Sequence, residues 1–257
     1  MRASPSVLEA ALRRPGELAL VPYLMAGFPS LEASIETGRR LAGSGAAAIE
    51  LGIPFSDPLA DGPVIQRAGQ AALARGATLA GCLRVAAAVA ATGLPTVLMG
   101  YVNPILAHGP ERFAREAAEA GVRGVIVPDL PPEEAEPVRG PLRAAGLDTV
   151  FLVAPTSTPE RVRRCCEASS GFVYCVTVTG TTGTRQELPA GLDGLLGRVR
   201  AVSDRPVAAG FGISLPEHLR ALREMADAAV VGSAIVREIE EGRDPLRLVE
   251  ELLRACR

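Results

Sequence analysis

The sequence predicts a single (β/α)8 barrel of the TIM type, and this prediction depends on three observations. Short apolar runs recur along the 257-residue chain, and stretches with helical periodicity separate them. Hydrophobicity within each run is continuous rather than alternating, as expected for parallel strands that are buried on both faces. Eight such strand–helix units in about 250 residues match the number and length of this barrel.

The predicted elements can be placed directly on the sequence. The first 20 residues predict a short extra helix that precedes the barrel. Pro, Ser or Asp often stands where a helical stretch begins, which is a usual signal for a helix start; residues 111–121 and 159–169 are two such stretches. The predicted strands are residues 18–27, 46–52, 95–101, 123–130, 148–155, 172–178, 205–212 and 228–234.

One domain is expected, because no stretch is long or polar enough to act as a linker in residues 1–257. A doubly wound open sheet is the alternative fold, but its GxGxxG signature is missing after the first strand. The apolar runs are too short and too often interrupted for a membrane span, and the N-terminal stretch lacks the apolar region of a secretory signal. A formal net charge of −2 without a basic block argues against nucleic acid as a partner.

Cysteine and histidine usage predicts a cytoplasmic protein without a metal site. The five cysteines are odd in number, irregularly spaced and without a CxxC pair, so we expect reduced thiols packed in the core. The two histidines, His108 and His218, are too few for a three-His zinc site. We expect both on the surface or in loops.

All 27 basic residues are arginine, and the lack of lysine excludes several kinds of chemistry. A Schiff-base aldolase, a covalently bound pyridoxal phosphate and a Walker-type phosphate site each need a lysine. Carbon–carbon chemistry in this chain would therefore use general acid–base catalysis or an additional cofactor.

The stretch AAAIELGIPFSDPLADGP places a carboxyl group where a barrel carries its catalytic groups, at the carboxyl end of a strand. Strand alternation puts Glu50 on the inward face with Ala48, whereas Ile49 and Leu51 would pack against the helices. A buried carboxyl group there suits a general acid or base with a raised pKa. The alternative is a structural ion pair with a nearby arginine.

Two aspartates follow Glu50 in a proline-rich loop. Asp57, between Ser56 and Pro58, fits best as a turn residue that bonds to nearby backbone amides. Asp61 could reach back over the barrel mouth toward Glu50. Two carboxyl groups would then flank a substrate.

Glycine-rich segments end three later strands, at residues 179–183, 210–214 and 231–234. Loops after the last two strands of a barrel often bind phosphate, because glycine lets backbone N–H groups approach the anion and a helix N-terminus favours its charge. We therefore predict a ligand with a phosphate monoester. The long polar segment 176–194 predicts a lid over the site, with an ordinary surface connection as the alternative.

Several motifs together resemble the α-subunit family of tryptophan synthase: IELGIPFSDPLADGPVIQRA, VIVPDLPPEE, GFVYCVTVTGTTG, GFGIS and VVGSAIV. The resemblance runs in one register from about residue 17 to about residue 240, and its first motif is highly specific. It implies a (β/α)8 barrel that cleaves indole-3-glycerol phosphate into indole and glyceraldehyde 3-phosphate without cofactor or metal. Cleavage through an indolenine tautomer agrees with the missing lysine.

The resemblance also implies roles for individual residues. Glu50 would protonate C3 of the indole and relay protons at the glycerol hydroxyl. Asp61 would hold the indole N–H and stabilise positive charge on the ring. Tyr174 would line the pocket beside Glu50, and Thr182 would bond to Asp61 when the lid closes. The phosphate would be held by the backbone amides of Gly183, Gly212, Gly232 and Ser233.

The family works as an α2β2 complex in which indole passes to a pyridoxal phosphate-dependent β subunit for L-tryptophan synthesis. Segments 101–105 and 127–131 resemble those that face this partner. A standalone lyase that releases free indole stays open, as does a non-catalytic phosphate-binding activator of a partner. Three residues depart from the usual family pattern, at the pocket rim and in the lid: Met25, Phe28 and Thr181.

Overall fold

The computed structural model describes residues 4–176, 191–210 and 212–257, and the predicted (β/α)8 architecture is confirmed there. Every paired strand runs parallel to its neighbour. The strands in this part of the chain are β1 (Ala19–Met25), β2 (Ile49–Gly52), β3 (Thr96–Met99), β4 (Val122–Ile126), β5 (Asp148–Val150), β6 (Leu152–Val153), β7 (Val173–Val176), β8 (Val207–Gly210) and β9 (Ala228–Val231).

The two edges of the sheet belong to one stretch of chain, so the sheet closes. Its order is β5-β4-β3-β2-β1-β9-β8-β7-β6. The predicted single strand 148–155 is divided at Phe151 into β5, which pairs with β4, and β6, which pairs with β7. The Phe151 N–H donates to the hydroxyl of Ser169 at 3.1 Å, which interrupts the ladder at this point. One predicted strand therefore supplies both edge strands of the sheet, and the barrel closes through it.

Helices follow the strands and begin at the predicted signals. The side chains of Ser30, Thr78 and Thr158 each accept the backbone N–H three residues on, at 3.1, 3.1 and 3.2 Å. The helices in the described residues are α1 (Val7–Leu12), α2 (Leu31–Ala42), α3 (Pro63–Ala74), α4 (Leu79–Ala90), α5 (Val102–His108), α6 (Pro110–Glu119), α7 (Glu136–Ala144), α8 (Pro159–Ala168), α9 (Leu192–Arg200), α10 (Pro216–Leu222), α11 (Ser233–Glu240) and α12 (Pro245–Cys256), with a 3₁₀ turn at Pro132–Glu134.

Alternate side chains along each strand form two apolar layers. In β1, Leu20 and Leu24 join the layer between the sheet and the helices, whereas Val21, Tyr23 and Met25 join the layer inside the barrel. This alternation follows from strand geometry. Burial on both faces explains why the predicted strands are apolar at nearly every position.

The predicted extra helix, α1, covers the amino-terminal end of the barrel. Leu8 and Leu12 are buried and belong to the layer inside the barrel. Leu8 packs so closely on Gly124 of β4 that a Cβ added there would lie 2.7 Å from its Cδ1 atom. The carboxyl ends of the strands are therefore the end at which a ligand can enter.

The cysteine prediction is confirmed, and the histidine prediction is wrong for His218. All five cysteines are free and buried. His218 lies on α10 with 2% of its surface exposed, and its Nδ1 accepts the N–H of Ser214 at 3.3 Å. A neutral imidazole with a hydrogen-bond partner can be buried at small cost, which the count of histidines alone does not reveal. His108 is half-buried at the end of α5, with its Nε2 2.7 Å from a carboxylate oxygen of Glu116.

In the described ranges, no single helix is both long enough and apolar enough to cross a membrane. Helices α3 and α4 reach that length and composition only when they are taken together, and a bend of 110° separates them.

Candidate active site

Glu50 lies on β2 with its side chain directed into the barrel. Its register partners are Tyr23 of β1 and Val97 of β3, which both belong to the inner layer. Ile49 and Leu51 belong to the outer layer, as strand alternation predicts. The predicted orientation of Glu50 is thus confirmed. A carboxyl group with only 2% of its surface exposed stands in an apolar interior.

The Glu50 carboxyl has no charge partner in the part of the chain that the structure describes. Its Oε2 atom is buried without a hydrogen-bond partner there, and no described arginine forms the ion pair that the sequence left open. Burial raises the pKa of Glu50 from 4.5 to about 8, and the charge of Asp61 adds to the rise. Because this carboxyl group is mostly protonated at pH 7 and titrates near pH 8, it suits both donation and removal of a proton.

Asp61 lies half-buried in the loop between β2 and α3. Its N–H donates to the carbonyl of Pro58 at 3.1 Å, and its own carbonyl accepts from the side chain of Gln66 at 2.9 Å. Burial raises the pKa of Asp61 from 3.8 to about 6, and hydrogen bonding by the Tyr101 hydroxyl lowers it in part. At pH 7 Asp61 is therefore mainly a carboxylate, whereas Glu50 is mainly an acid. Two carboxyl groups with separated pKa values are a usual sign of an acid and a charge-stabilising partner.

The other aspartate of this loop, Asp57, has the local role that the sequence favours. Asp57 is exposed and accepts a hydrogen bond from the hydroxyl of Ser56. Its carbonyl accepts the N–H of Leu59 at 2.9 Å. Asp57 thus shapes the turn, while Asp61 is the aspartate that approaches Glu50.

All three tyrosines of the chain lie around the two carboxyl groups. Tyr23, Tyr101 and Tyr174 are each at most 5% exposed. Burial raises the pKa of Tyr23 and of Tyr174, and the charges of both Glu50 and Asp61 raise it further, as expected for hydroxyls within electrostatic range of these carboxyl groups. The predicted Tyr174 thus lies in the layer inside the barrel, within range of the charge of Glu50. Tyr23 and Tyr101 were missed by sequence reasoning as site residues.

A small residue on a neighbouring strand makes room for each inward tyrosine. A Cβ on Gly52 would overlap the hydroxyl of Tyr23, and a Cβ on Gly210 would overlap that of Tyr174. Met25, one of the departures from the family pattern, is buried in the inner layer with its Sδ 4.0 Å from the Tyr23 hydroxyl. Tyr23 lies on the same inward face of β1 as Met25. This alternation along the strand is the sequence signal that could have identified Tyr23 as a site residue.

The described residues of the predicted phosphate site follow two neighbouring strands. Gly212, after β8, has φ +82°, a left-handed conformation that favours glycine. Gly232 and Ser233 follow β9 and begin α11, and a Cβ on Gly232 would lie 3.4 Å from the Cβ of Tyr23. Since β8 pairs with β9, these loops lie at the same end of the barrel as Glu50. The other predicted residues of the lid and phosphate site lie outside the described residues: Thr181, Thr182 and Gly183.

A cavity of about 690 Å³ lies at the opposite end of the barrel and contains none of these residues. It is lined by five arginines and by Glu17, Glu224 and Asp227, and two of its arginines pair with Glu9 and Glu217 just outside it. Positive and negative charges therefore balance there. Across the described ranges, no three His, Cys, Asp or Glu side chains are grouped as metal ligands would be.

Comparison with known families identifies the barrel. Residues 10–257 match the family model described as the tryptophan synthase alpha chain. The chain belongs to the tryptophan synthase alpha chain family. It is similar to the alpha chains of Roseiflexus sp. (strain RS-1), with 48% identity over 90% of each chain, and of Carboxydothermus hydrogenoformans, with 49% identity over 90% of this chain and 87% of the relative.

Solved structures agree with this membership of the tryptophan synthase alpha chain family. A chain of Mycobacterium tuberculosis tryptophan synthase superimposes with a TM-score of 0.93 at 41% identity and covers 99% of both chains. Tryptophan synthase subunit alpha from Legionella pneumophila superimposes with a TM-score of 0.87 at 34% identity, over 98% of this chain and 99% of that one. The protein is thus an enzyme component that acts in tryptophan biosynthesis.

Proposed function

We propose that this chain is a carbon–carbon lyase that cleaves indole-3-glycerol phosphate into indole and D-glyceraldehyde 3-phosphate by a retro-aldol reaction. The observation that carries the proposal is the pair of carboxyl groups at the barrel mouth, Glu50 with a pKa of about 8 and Asp61 with a pKa of about 6. One can deliver a proton while the other stabilises positive charge. The chain contains no lysine for a Schiff base, so acid–base catalysis is the route open to its own side chains.

The proposed reaction uses Glu50 twice. Protonated Glu50 first gives its proton to C3 of the indole ring, which becomes a positively charged indolenine. Asp61 accepts a hydrogen bond from the ring N–H and stabilises this charge. The Glu50 carboxylate then removes the proton of the hydroxyl on the adjacent glycerol carbon. As the C–C bond breaks, its electron pair restores the aromatic ring and the hydroxyl carbon becomes the aldehyde, so Glu50 ends the cycle protonated.

The other predicted residues would bind the substrate rather than react with it. Tyr174 would contact the indole ring beside Glu50. The backbone amides of Gly212, Gly232 and Ser233 would hold the phosphate, supported by the positive end of the α11 dipole. For Thr182 and Gly183 the proposal relies on the family resemblance alone.

We further propose that indole passes to a β subunit within an α2β2 assembly, and that residues 1–257 act as one domain. Two apolar side chains support the choice of the partner surface. Leu59 is 92% exposed in the Asp61 loop, and Leu106 is 48% exposed on α5, next to the predicted partner segment 101–105. Covering these side chains with a partner would remove their apolar surface from water, which is favourable.

The experiment is to mix purified protein with indole-3-glycerol phosphate and to measure indole, with Asp61→Asn as the matched variant. We expect indole release without added metal or cofactor, and a value of kcat/KM lowered about 10- to 100-fold by Asp61→Asn, because the amide lacks the charge that stabilises the ring. A rise in turnover of an order of magnitude with a β subunit supports the complex, whereas an unchanged turnover overturns it in favour of a standalone lyase. Failure to release indole, alone or with the β subunit, would overturn the lyase proposal.

A further inference from the structure

We propose that Tyr101 is a positioning residue for Asp61: its ring and its hydroxyl hold the two ends of the loop that carries this carboxyl group. The inference rests on the proposed function in one respect, that Asp61 acts on the substrate. Tyr101 lies two residues after the end of β3, and it is 4% exposed. A side chain buried to this extent on the barrel wall offers a fixed anchor.

Tyr101 contacts both ends of the loop. Its ring stacks on Phe55, at the start of the loop, with the ring centroids 5.1 Å apart and the planes inclined by 29°. Its hydroxyl accepts the N–H of Ala60 at 3.0 Å. The same hydroxyl lies close enough to Asp61 for hydrogen bonding from it to lower the pKa of that carboxyl group. One side chain therefore spans the loop from its beginning to its functional residue.

The loop needs such an anchor because, among the described residues, its backbone-to-backbone bonds near the tip are local. Leu59 and Asp61 donate to carbonyls only two and three residues earlier, which shapes the turn without attaching it to the barrel. Leu59 itself is 92% exposed, so the tip has little apolar packing. The side chain of Gln66 braces the backbone of Asp61 from α3. Tyr101 supplies the corresponding attachment to the strand wall.

Tyr101 is held in turn by the next loop of the barrel. The N–H of Val102 donates to both carboxylate oxygens of Asp129, at 3.0 and 3.3 Å. Burial raises the pKa of Tyr101, and the nearby charges of Asp61 and Asp129 raise it further, so the hydroxyl keeps its proton. It can accept from Ala60 and donate to the Asp61 carboxylate at the same time.

The chemical consequence is that Tyr101 favours the ionised form of Asp61. The titratable groups that face Asp61 from the described elements are Glu50 on β2, Tyr23 on β1, Tyr174 on β7 and Tyr101 after β3. None of them carries a positive charge. Among the described groups, hydrogen bonding by Tyr101 is the influence that lowers the pKa of Asp61 against the effect of burial.

Two variants separate the hydroxyl from the ring. Tyr101→Phe keeps the stacking on Phe55 and removes both hydrogen bonds, whereas Phe55→Leu removes the stacking and keeps the hydroxyl. In Tyr101→Phe we expect the pKa of Asp61 to rise by about one pH unit, the usual effect of losing one hydrogen bond to a charged group. The acidic limb of kcat/KM should move upward by the same amount. In Phe55→Leu the pKa of Asp61 and the position of the acidic limb should stay at their wild-type values, because this variant keeps the Tyr101 hydroxyl.

The Asp61 titration is read directly by ¹³C NMR of protein labelled at the aspartate carboxyl carbons, with the Asp61 signal identified by its loss in Asp61→Asn. An unchanged Asp61 titration in Tyr101→Phe overturns the proposal, as does an equal rise in Phe55→Leu, which would indicate general loosening of the loop. A shifted titration in a protein that never releases indole would support Tyr101 and reject only the proposed reaction. The two proposals can therefore fail separately.

Discussion

Carboxyl groups at the barrel mouth and on the helical surface differ in the direction in which their surroundings shift the pKa. At the mouth, burial raises the pKa of Glu50 to about 8 and that of Asp61 to about 6. On the surface, hydrogen bonds from arginine lower the pKa of Glu116, Glu238 and Glu240. The same functional group can thus be protonated near neutral pH in one region, whereas in the other its ionised form is favoured.

The difference comes from where the arginines lie. Arg67 forms two hydrogen bonds to Glu240, both at 2.8 Å, and Arg112 reaches Glu116 at 2.7 Å. In the described residues no such cation approaches Glu50, whose Oε2 is buried without a hydrogen-bond partner. A cation there would hold the carboxylate ionised and prevent proton transfer. The unpaired acid is destabilising, and its retention at the mouth is understandable if it serves catalysis.

The largest expected effect is on stability and tests whether Glu50 is protonated in the folded state. Its pKa is about 8 when folded and near 4.5 when unfolded, so the unfolded chain releases this proton at lower pH. The free energy of unfolding should therefore fall as pH rises from about 4.5 to 8, by a loss on the order of 4 kcal/mol from this group.

Urea unfolding of the wild type and of Glu50→Gln between pH 5 and pH 8 measures this loss. The glutamine variant lacks the titrating group, so its stability should depend less on pH, and the difference between the two proteins should change across the range. A constant difference would show that Glu50 resembles the paired carboxylates of the surface.

The next largest effect is on turnover. Glu50→Gln keeps the shape of the side chain and removes the proton that is transferred, so kcat should fall roughly 10²-fold or more. Indole release at pH 7.5 measures it, and circular dichroism and Tm serve as controls for an intact barrel. If an intact Glu50→Gln protein keeps its activity, the role of Glu50 in the reaction must be abandoned.

The smallest effect is expected on the surface. Arg67→Gln removes the pair with Glu240, but Arg67 is 53% exposed and water screens the interaction. We expect Tm to change by less than about 2 °C and indole release to stay within about twofold of the wild type, because neither residue acts on the pKa of Glu50 or of Asp61. The pKa of Glu240 should rise toward its usual value. A fall in Tm comparable to that of a core mutation would remove the contrast between the two regions.

Much of the fold could be predicted because it depends on local periodicity. The inward face of Glu50 follows from the alternation of side chains along β2, and the helix starts follow from short capping signals. The role proposed for Asp61 came from the family resemblance, since a carboxylate in a loop has no periodicity that orients it. Tyr23 and Tyr101 were missed as site residues, because an aromatic side chain in or after an apolar strand is usually part of the core.

By itself, the sequence determined the number and order of the strand–helix units, the inward position of Glu50 and the lack of a lysine nucleophile, since these depend on residue identity and on neighbours along the chain. Tertiary structure alone decided the pKa values of the carboxyl groups, the division of one strand at Phe151, the burial of His218 and the contact between Tyr101 and Ala60. These features join residues that are distant in sequence, 41 positions apart for Tyr101 and Ala60. Solvent exclusion and hydrogen bonding between such residues exist only after the barrel has closed.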